Sequence, residues 1–223
     1  MIRLRDLSFR YVEGGFELSV PELEISAGEQ LAVVGPSGSG KTTLLNLIAG
    51  ILSPERGDLV VMDQELNHLN DAQKRAFRLR RIGMVFQSFE LLDYLSVVDN
   101  ILLPLRIGGG KVETTDRQRA TELARQMGIG DKLDRPIDQL SQGERQRAAV
   151  CRALLLRPPL ILADEPTGNL DPANKGIVLS LLLEYATSND ATVVTVTHDQ
   201  NLLSRFSRVI DFDALNQASV GSV

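Results

Sequence analysis

The sequence has a single cysteine, Cys151, among 223 residues. A disulfide scaffold needs pairs and a zinc cluster needs several soft ligands, so both are excluded. Cys151 itself sits inside an apolar helical pattern and reads as core. Long hydrophobic runs are missing too. A bilayer span takes about 18–20 apolar residues, whereas the longest candidate, IVLSLLLEYA at 177–186, is shorter and contains Glu184. The opening MIRLRDLSFRY alternates charged and apolar residues, which is not the pattern of a secretory signal. Nor is there an excess of positive charge. With 24 Lys and Arg against 29 Asp and Glu, the net charge of −5 offers no footprint for nucleic acid or an anionic membrane. No 20–50-residue repeat and no low-complexity tract occur. These absences leave a soluble, cytoplasmic protein as the expectation. At 43% hydrophobic, the chain can bury a substantial core as one large domain or a domain with an insertion.

The apolar residues fall into two patterns. IRLRDLSFRY (2–11) and FELSVPELEI (16–25) alternate, which predicts two antiparallel strands, with GGFE at 14–17 as the turn. LAVV (31–34), MVFQ (84–87), LILA (160–163) and TVVTVT (192–197) are continuous short runs, as in parallel strands buried on both faces. Helical periodicity covers 42–50, 115–128, 144–157 and 173–188, with Gly50 and Gly128 where C-caps would fall. Strands alternating with helices predict an α/β sheet. More than 70 residues separate MVFQ from LILA, too many for one crossover, so roughly 88–158 reads as a mostly helical insertion with IGGGK at 107–111 as an exposed joint.

GPSGSGKT at 35–42 follows the strand LAVV and precedes a helix. It matches G-x-x-x-x-G-K-[ST] in the context that a P-loop requires. Gly35, Gly38 and Gly40, with Pro36, Ser37 and Ser39 between them, allow a tight turn that aims several N–H groups at one point. The helix beginning near Lys41 points its positive end there. Lys41 supplies charge for β- and γ-phosphates, Thr42 offers a hydroxyl to Mg²⁺, and Thr43 follows. LILADEP at 160–166 is an apolar strand ending in two acids. Asp164 at the strand end can hold Mg²⁺ or a Mg²⁺-bound water. If the pleat persists, Glu165 points the opposite way and can face an attacking water. A DE pair after a strand is otherwise a solvated turn; the P-loop in the same chain favours the catalytic reading. Guanine specificity is disfavoured, because Asn174-Lys175-Gly176-Ile177 has Ile177 where N-K-x-D needs its acid.

LSQGE at 140–144, just before the helical ERQRAAVCRALLLR, contains no group for covalent chemistry. Together with the P-loop, Gln87 in MVFQS, LILADEP, NLD at 169–171 and His198 in VTHD, all in order, it makes the chain resemble the ATP-binding subunit of an ATP-binding-cassette (ABC) transporter over essentially its whole length. The resemblance implies an α/β P-loop NTPase core with a mostly parallel sheet, an N-terminal antiparallel β subdomain and an inserted α-helical subdomain. It implies one domain, 1–223, in which 1–87 and 159–223 form the core with its β subdomain and 88–158 the helical subdomain. It implies ATP and Mg²⁺ as ligands and a homodimer in which two subunits pack head to tail. Ser141 and the Gly143 backbone, with Glu144 beside them, would then cap the γ-phosphate held by the partner's P-loop, and Asp171 would lie on the dimer interface. Gln87 would touch Mg²⁺ or the lytic water, and His198 would bond the γ-phosphate and hold Glu165, the general base. Tyr11 would stack on adenine, with Phe9 and Phe16 as rivals for that role. The chain departs from the family pattern at Gln142, commonly glycine, and at Glu144, more commonly glutamine.

The resemblance also implies an integral-membrane permease partner and no nucleic acid. The chain would then be peripheral on the inner face of the cell membrane. SFELLDYLSVVDNILLPL at 88–105 is apolar for a small helical subdomain, so some of Phe89, Leu91, Leu92, Tyr94 and Leu95 are expected to stay exposed as a groove for the permease. ADEPTGNLD and FQSFELLDYLSVVDNILLPL are similar to the branch serving lipoprotein release, macrolide efflux and cell division. Three readings follow: a transporter ATPase, an ATP-driven regulator of a membrane partner in cell division, and a soluble DNA-repair ATPase. The last needs long insertions, coiled coils or zinc knuckles, which the sequence lacks. His68 reads as an ordinary surface residue.

Overall fold

The computed structural model describes residues 1–12, 15–168 and 170–217. Gly14 of the expected turn and Asn169 of the NLD motif lie outside the described residues. Strands β1 (Ile2–Arg10) and β2 (Glu17–Ile25) pair antiparallel, Leu4 opposite Leu23 and Leu7 opposite Val20. The buried positions of β1 run Ile2, Leu4, Leu7, Phe9, a slip from even to odd numbers. A bulge at Asp6, whose φ is 45°, takes up the extra residue and keeps all four on one face. Pro21 of β2 is tolerated because β2 is an edge strand of the sheet β2-β1-β4-β5, where β4 is Arg56–Val61 and β5 is Gln64–Glu65.

The second sheet is parallel throughout, in the order β6-β7-β8-β3-β9. Its strands are β3 (Gln30–Val34), β6 (Ile82–Val85), β7 (Leu160–Asp164), β8 (Thr192–Val196) and β9 (Arg208–Asp211). The four expected from continuous apolar runs are all present. Their side chains divide by period 2 between two cores. Leu31, Val33, Leu160, Leu162, Val194 and Val196 join the antiparallel sheet and helix α1 (Lys41–Ile48). Ala32, Ile161, Ala163 and Val193 face the helices instead. Helix α2 (Asp71–Arg81), with an Asn70–Gln73 capping box, and the edge strand β9 carried too little apolar periodicity to be foreseen.

The long insertion is helical: α3 (Val97–Ile101), α4 (Leu103–Ile107), α5 (Thr114–Gln126) and α6 (Gln142–Leu154). IGGGK is exposed throughout. Helix α7 (Pro172–Asn189) packs against the same core, and α8 (Phe212–Leu215) closes the described chain. Gly50 and Gly128 take φ of 65° and 66° one residue beyond the C-caps of α1 and α5, as expected. The buried Asn100 ties down the loop before α3 by accepting from Leu92 N–H and donating to the Leu92 and Ser96 carbonyls. Among the described residues no helix is long and apolar enough to cross a membrane.

The β1 bulge depends on a glycine across from it. Gly57 in β4 has φ 86°, and a Cβ there would meet the carbonyl oxygens of Asp6 and Arg5 at 2.3 and 2.5 Å. Left-handed backbone costs an alanine ~1–2 kcal/mol and relieving such a clash another ~1–3, so Gly57→Ala should destabilise the fold by about 2–5 kcal/mol. Urea unfolding measures this; a change under about 1 kcal/mol, the ordinary scatter of point variants, would mean that the crossing can open without loss.

Candidate functional site

Because β3, β6, β7 and β8 are parallel, the loops after them emerge at one sheet edge. The P-loop follows β3, Gln87 follows β6, Asp164 ends β7 with Glu165 just after it, and His198 follows β8. Residues scattered over more than a hundred positions are therefore neighbours. Residues 35–40 form the loop, with Pro36, Ser37 and Gly38 exposed. Gly40 is the N-cap of α1 at φ 106°, and a Cβ there would lie 2.3 Å from Phe16 Cζ. Only glycine lets the aromatic cluster reach the loop this closely. Tyr11 packs edge-on against Phe9 at 4.8 Å and tilted against Phe16 at 6.0 Å. Its hydroxyl is 3.4 Å from Thr43 Oγ1. Of the three aromatic candidates Phe9 is buried, while Tyr11 keeps 38% of its surface exposed beside the start of α1.

Lys41 turns its Nζ into the loop, donating to the carbonyls of Gly35 at 3.0 Å and Pro36 at 2.6 Å. The cation thus holds the curvature of the cradle that it would serve. Thr42 Oγ1 donates to Asp164 Oδ2 at 2.8 Å. Burial raises the Asp164 carboxyl above its ordinary range against the pull of the Thr42 bond; the charge of Glu165 raises it further and Lys41 opposes. A hydroxyl beside a partly desolvated carboxylate under like-charge pressure suits a hard cation. Among the described residues no three His, Cys, Asp or Glu side chains converge on a metal site. Mg²⁺ fits this sparse donor set, since it is commonly held by one or two protein oxygens plus substrate phosphates.

Glu165 corrects one expectation. The pleat does not persist: β7 stops at Asp164 and Glu165 turns left-handed at φ 46°. That conformation costs ~1–3 kcal/mol in a non-glycine residue. Backbone bonds hold it, from Glu165 N–H to Val196 O at 3.0 Å and from Gly168 N–H to Glu165 O at 3.0 Å. The side chain is set by His198, whose Nδ1 is 2.9 Å from Glu165 Oε1. The other oxygen, Oε2, is buried without a hydrogen-bond partner among the described residues. A Cβ on Gly168 would lie 3.3 Å from Gln87 Nε2, so the Gln87 amide rests on the turn that carries Glu165.

The LSQGE run starts α6. Ser141 is its N-cap, and Glu144 closes a capping box: Glu144 Oε2 accepts from Ser141 N–H at 2.8 Å and from Ser141 Oγ at 2.9 Å, while Glu144 N–H donates to Ser141 Oγ at 3.3 Å. The Ser141 backbone bond, opposed by burial, is what chiefly lowers the Glu144 carboxyl. Gly143 packs on Asn174 of α7, where a Cβ would meet the amide at 3.0 Å. Asn174 in turn accepts from Arg147 of α6 at 2.7 Å and donates to Asp171 at 2.5 Å. Asp171 caps α7 by accepting from the Ala173 and Asn174 N–H groups. Sequence reasoning missed this Arg147–Asn174 link, because its partners are 27 residues apart and belong to different motifs. It also missed Lys175, which anchors Asp199 beside His198 at 2.8 Å. Cys151 is core as expected, its thiol pushed up to about 12 by burial. His68 is exposed and pairs with Glu65 at 3.1 Å.

A glycine-rich loop capped by lysine, with its threonine on a strand-end aspartate, is the geometry of a P-loop nucleoside triphosphatase. Comparison with known proteins gives the particular family. The ABC transporter family model matches residues 18–168. The lipoprotein-releasing system ATP-binding protein LolD of Pseudomonas fluorescens is 40% identical over 213 residues, 94% of this chain and 93% of that one. The macrolide export ATP-binding/permease protein MacB of Rhodopirellula baltica is 41% identical over 94% of this chain, which spans 31% of that longer protein. Among solved structures, the dimeric ATP-binding cassette MJ0796 in a post-hydrolysis state with ADP and Pi superposes with TM-score 0.86 at 34% identity, covering 95% of this chain and 94% of that one. This chain belongs to the ABC transporter family, as an ATP-binding cassette with ATPase activity. Its two sheets and helical insertion are the fold that the resemblance implied.

The Asp164 environment has a stability consequence. A carboxyl held above its unfolded value, ~3.9 for Asp, subtracts from stability as pH climbs from there through the raised value. Asp164→Asn keeps an acceptor for Thr42 and removes the charge. In buffer without Mg²⁺ or nucleotide, the variant should melt above wild type at pH 7, with the gap closing near pH ~3 where both side chains are neutral. Equal melting temperatures at both pH values would show that the native site carries no such penalty.

Proposed function

We propose that this chain is the ATP-hydrolysing subunit of a lipoprotein-release or macrolide-export type transporter, closing head to tail as a homodimer on ATP and driving an integral-membrane permease. The observation that supports it most is the Glu165 side chain beside the Thr42–Asp164 pair, with Oε1 held by His198 and a buried Oε2 that has no partner among the described residues. Lys41 and the loop amides bind the β- and γ-phosphates. Tyr11 lies under the adenine. Thr42 and Asp164 would hold Mg²⁺, with Gln87 reaching it or the attacking water; bound there, the ion would supply positive charge against the charge developing on the phosphates. Glu165 Oε2 accepts the water's proton while His198 keeps the carboxylate in place and reaches for the γ-phosphate. Ser141 and the Gly143 N–H, at the positive end of α6, serve the ATP of the partner subunit. The Ser141 hydroxyl proton is held by Glu144 in the free chain, so that contact requires it to turn from Glu144 to the phosphate, and Asp171 lies at the interface beside it.

The permease reading needs a docking surface, and a groove of about 700 Å³ lies between α2, β6 and the helical insertion. Its floor includes Met84, Phe86 and Leu103, and its rim includes Arg75, Arg78 and Glu90. Segment 88–105 supplies only part of it. Leu91 packs on the helical core, and none of Phe89, Leu91, Leu92, Tyr94 or Leu95 lines the groove, although Tyr94 is 82% exposed. Of the five apolar residues, Leu91 is thus packed on its own subdomain and Tyr94 is the one left open.

Glu165→Gln preserves shape but not basicity. A positioned base contributes about 10²–10⁴-fold. The variant should bind ATP as wild type does, hydrolyse it at least ~100-fold more slowly and collect as an ATP-bound dimer in size-exclusion chromatography. Near-normal turnover would move the base role to His198.

The trans arrangement has its own test. Ser141→Arg should abolish hydrolysis but leave nucleotide binding by the same chain intact. Mixed with Lys41→Ala, it should recover activity in mixed dimers that keep one complete site. ATP-induced dimerisation is measured alongside. Folded chains that neither dimerise with ATP nor regain turnover at any ratio would rule the arrangement out.

A further inference from the structure

The loop after β6 contains two adjacent non-glycine residues in the left-handed region, Phe89 at φ 65° and Glu90 at φ 51°. Neither is a residue type enriched there. The loop is partly knit by its own atoms. Phe89 N–H donates to Phe86 O at 3.2 Å, Glu90 N–H to Ser88 O at 2.7 Å, and Ser88 Oγ to Glu90 Oε1 at 2.7 Å. A side chain from another element completes it. Arg152 of α6 donates through Nη2 to the Phe89 carbonyl at 2.7 Å and through Nη1 to the Glu90 carbonyl. One planar guanidinium thus holds both carbonyls of the left-handed pair. Asn100 secures the chain from Leu92 to Ser96 and leaves this pair to Arg152.

Gln87 lies inside the knitted stretch, between Phe86 and Ser88, with its amide against Gly168 on the Glu165 turn. We propose that Arg152 is a positioning residue for ATP hydrolysis: by clamping the Phe89 and Glu90 carbonyls it fixes the loop that sets Gln87 against the Glu165 turn. The inference rests on reading Gln87 as a group at the metal or the attacking water. It ties that group to α6, the helix whose first turn is LSQGE. Arg152 and Glu90 also line the groove, so the clamp stands between the groove and Gln87. The fork geometry matters here, since a lysine in its place is a compact point donor that cannot span two carbonyls in the same rigid way.

The test compares Arg152→Met, Arg152→Lys, Gln87→Ala and the double variant Arg152→Met/Gln87→Ala in the full chain. Steady-state ATPase, binding of a fluorescent ATP analogue and melting temperature are measured for each. Displacing a reacting group by ~1 Å can cost ~100-fold, so Arg152→Met should lower kcat by about 10–100-fold. Its KM for ATP and its analogue affinity should stay within about twofold of wild type. Arg152→Lys should fall between the two. In the Gln87→Ala background Arg152→Met should cost little more, because its effect runs through Gln87. A wild-type rate in Arg152→Met overturns the proposal, as do fully additive losses in the double variant. Loss of analogue binding along with rate also overturns it, since that is what a purely structural role would produce. If Arg152→Met does not fold, the same additivity test is made with Arg152→Lys. If Gln87→Ala keeps the wild-type rate, the reading of Gln87 fails and the proposal fails with it. A loss in Gln87→Ala with none in Arg152→Met removes the Arg152 assignment alone.

Discussion

Val196 of β8 stands in register with Val33 of β3 on one side and Asp164 of β7 on the other. Two further bonds extend that register past the strand ends, from Glu165 N–H to Val196 O at 3.0 Å and from Thr197 N–H to Val33 O at 3.1 Å. The P-loop, the acid pair and His198 all begin within two residues of these bonds, so the ladder sets their spacing before any side chain does. A one-residue slip would turn Asp164 into one of the cores and bring a core valine to the edge. The site is therefore as rigid as the most buried part of the sheet, where β8 is buried along its whole length.

On that frame the protein holds several arrangements that cost stability. Asp164 and Glu165 are adjacent acids, one of them raised by burial and by its neighbour's charge. Glu165, Phe89 and Glu90 all take left-handed backbone without being glycine. Such strain persists where surrounding bonds over-determine it. For Glu165 those bonds come from β8 and Gly168; for Phe89 and Glu90 they come from Arg152. Glu165 Oε2, which has no partner among the described residues, belongs with these, since a buried acceptor without a donor is ordinarily avoided. Glu165 is the group that the proposed mechanism sets against the attacking water.

The signature helix shows how a short motif can be structural and chemical at once. Glu144, where the family more often has glutamine, accepts from both the Ser141 N–H and its hydroxyl. A carboxylate is acceptor-only, so it fixes the direction of the Ser141 hydroxyl in a way that an amide would share between donor and acceptor. Gly143 is needed for a different reason: the Asn174 amide occupies the space that a side chain would fill. Through Asn174 the helix is tied to Asp171, so two motifs expected at one dimer interface are already joined within a single chain. Gln142, the other departure, is exposed on the first turn of α6 and is not part of that link.

Much of this was present in the linear sequence. Short continuous apolar runs between turn residues suit strands covered on both faces, and glycines in a fixed pattern between a strand and a helix suit a ligand that needs exposed N–H groups. Local physics therefore sufficed for the parallel strands, the P-loop, the acids after LILA and the glycines that end α1 and α5. Helix α2 was missed because its apolar face is thin, with Lys74 as its buried residue where a leucine usually marks a core. Segment 88–105 was only partly legible for a related reason: apolar composition does not say which residues are covered or by what, and here Leu91 packs on its own subdomain while Tyr94 stays exposed. The direction of Glu165, the partner of Asn174 and the hold of Arg152 on Phe89 and Glu90 were decided by tertiary structure alone. Each depends on atoms brought together from distant elements, where the register of a ladder or the reach of a guanidinium outweighs the preference of the local chain.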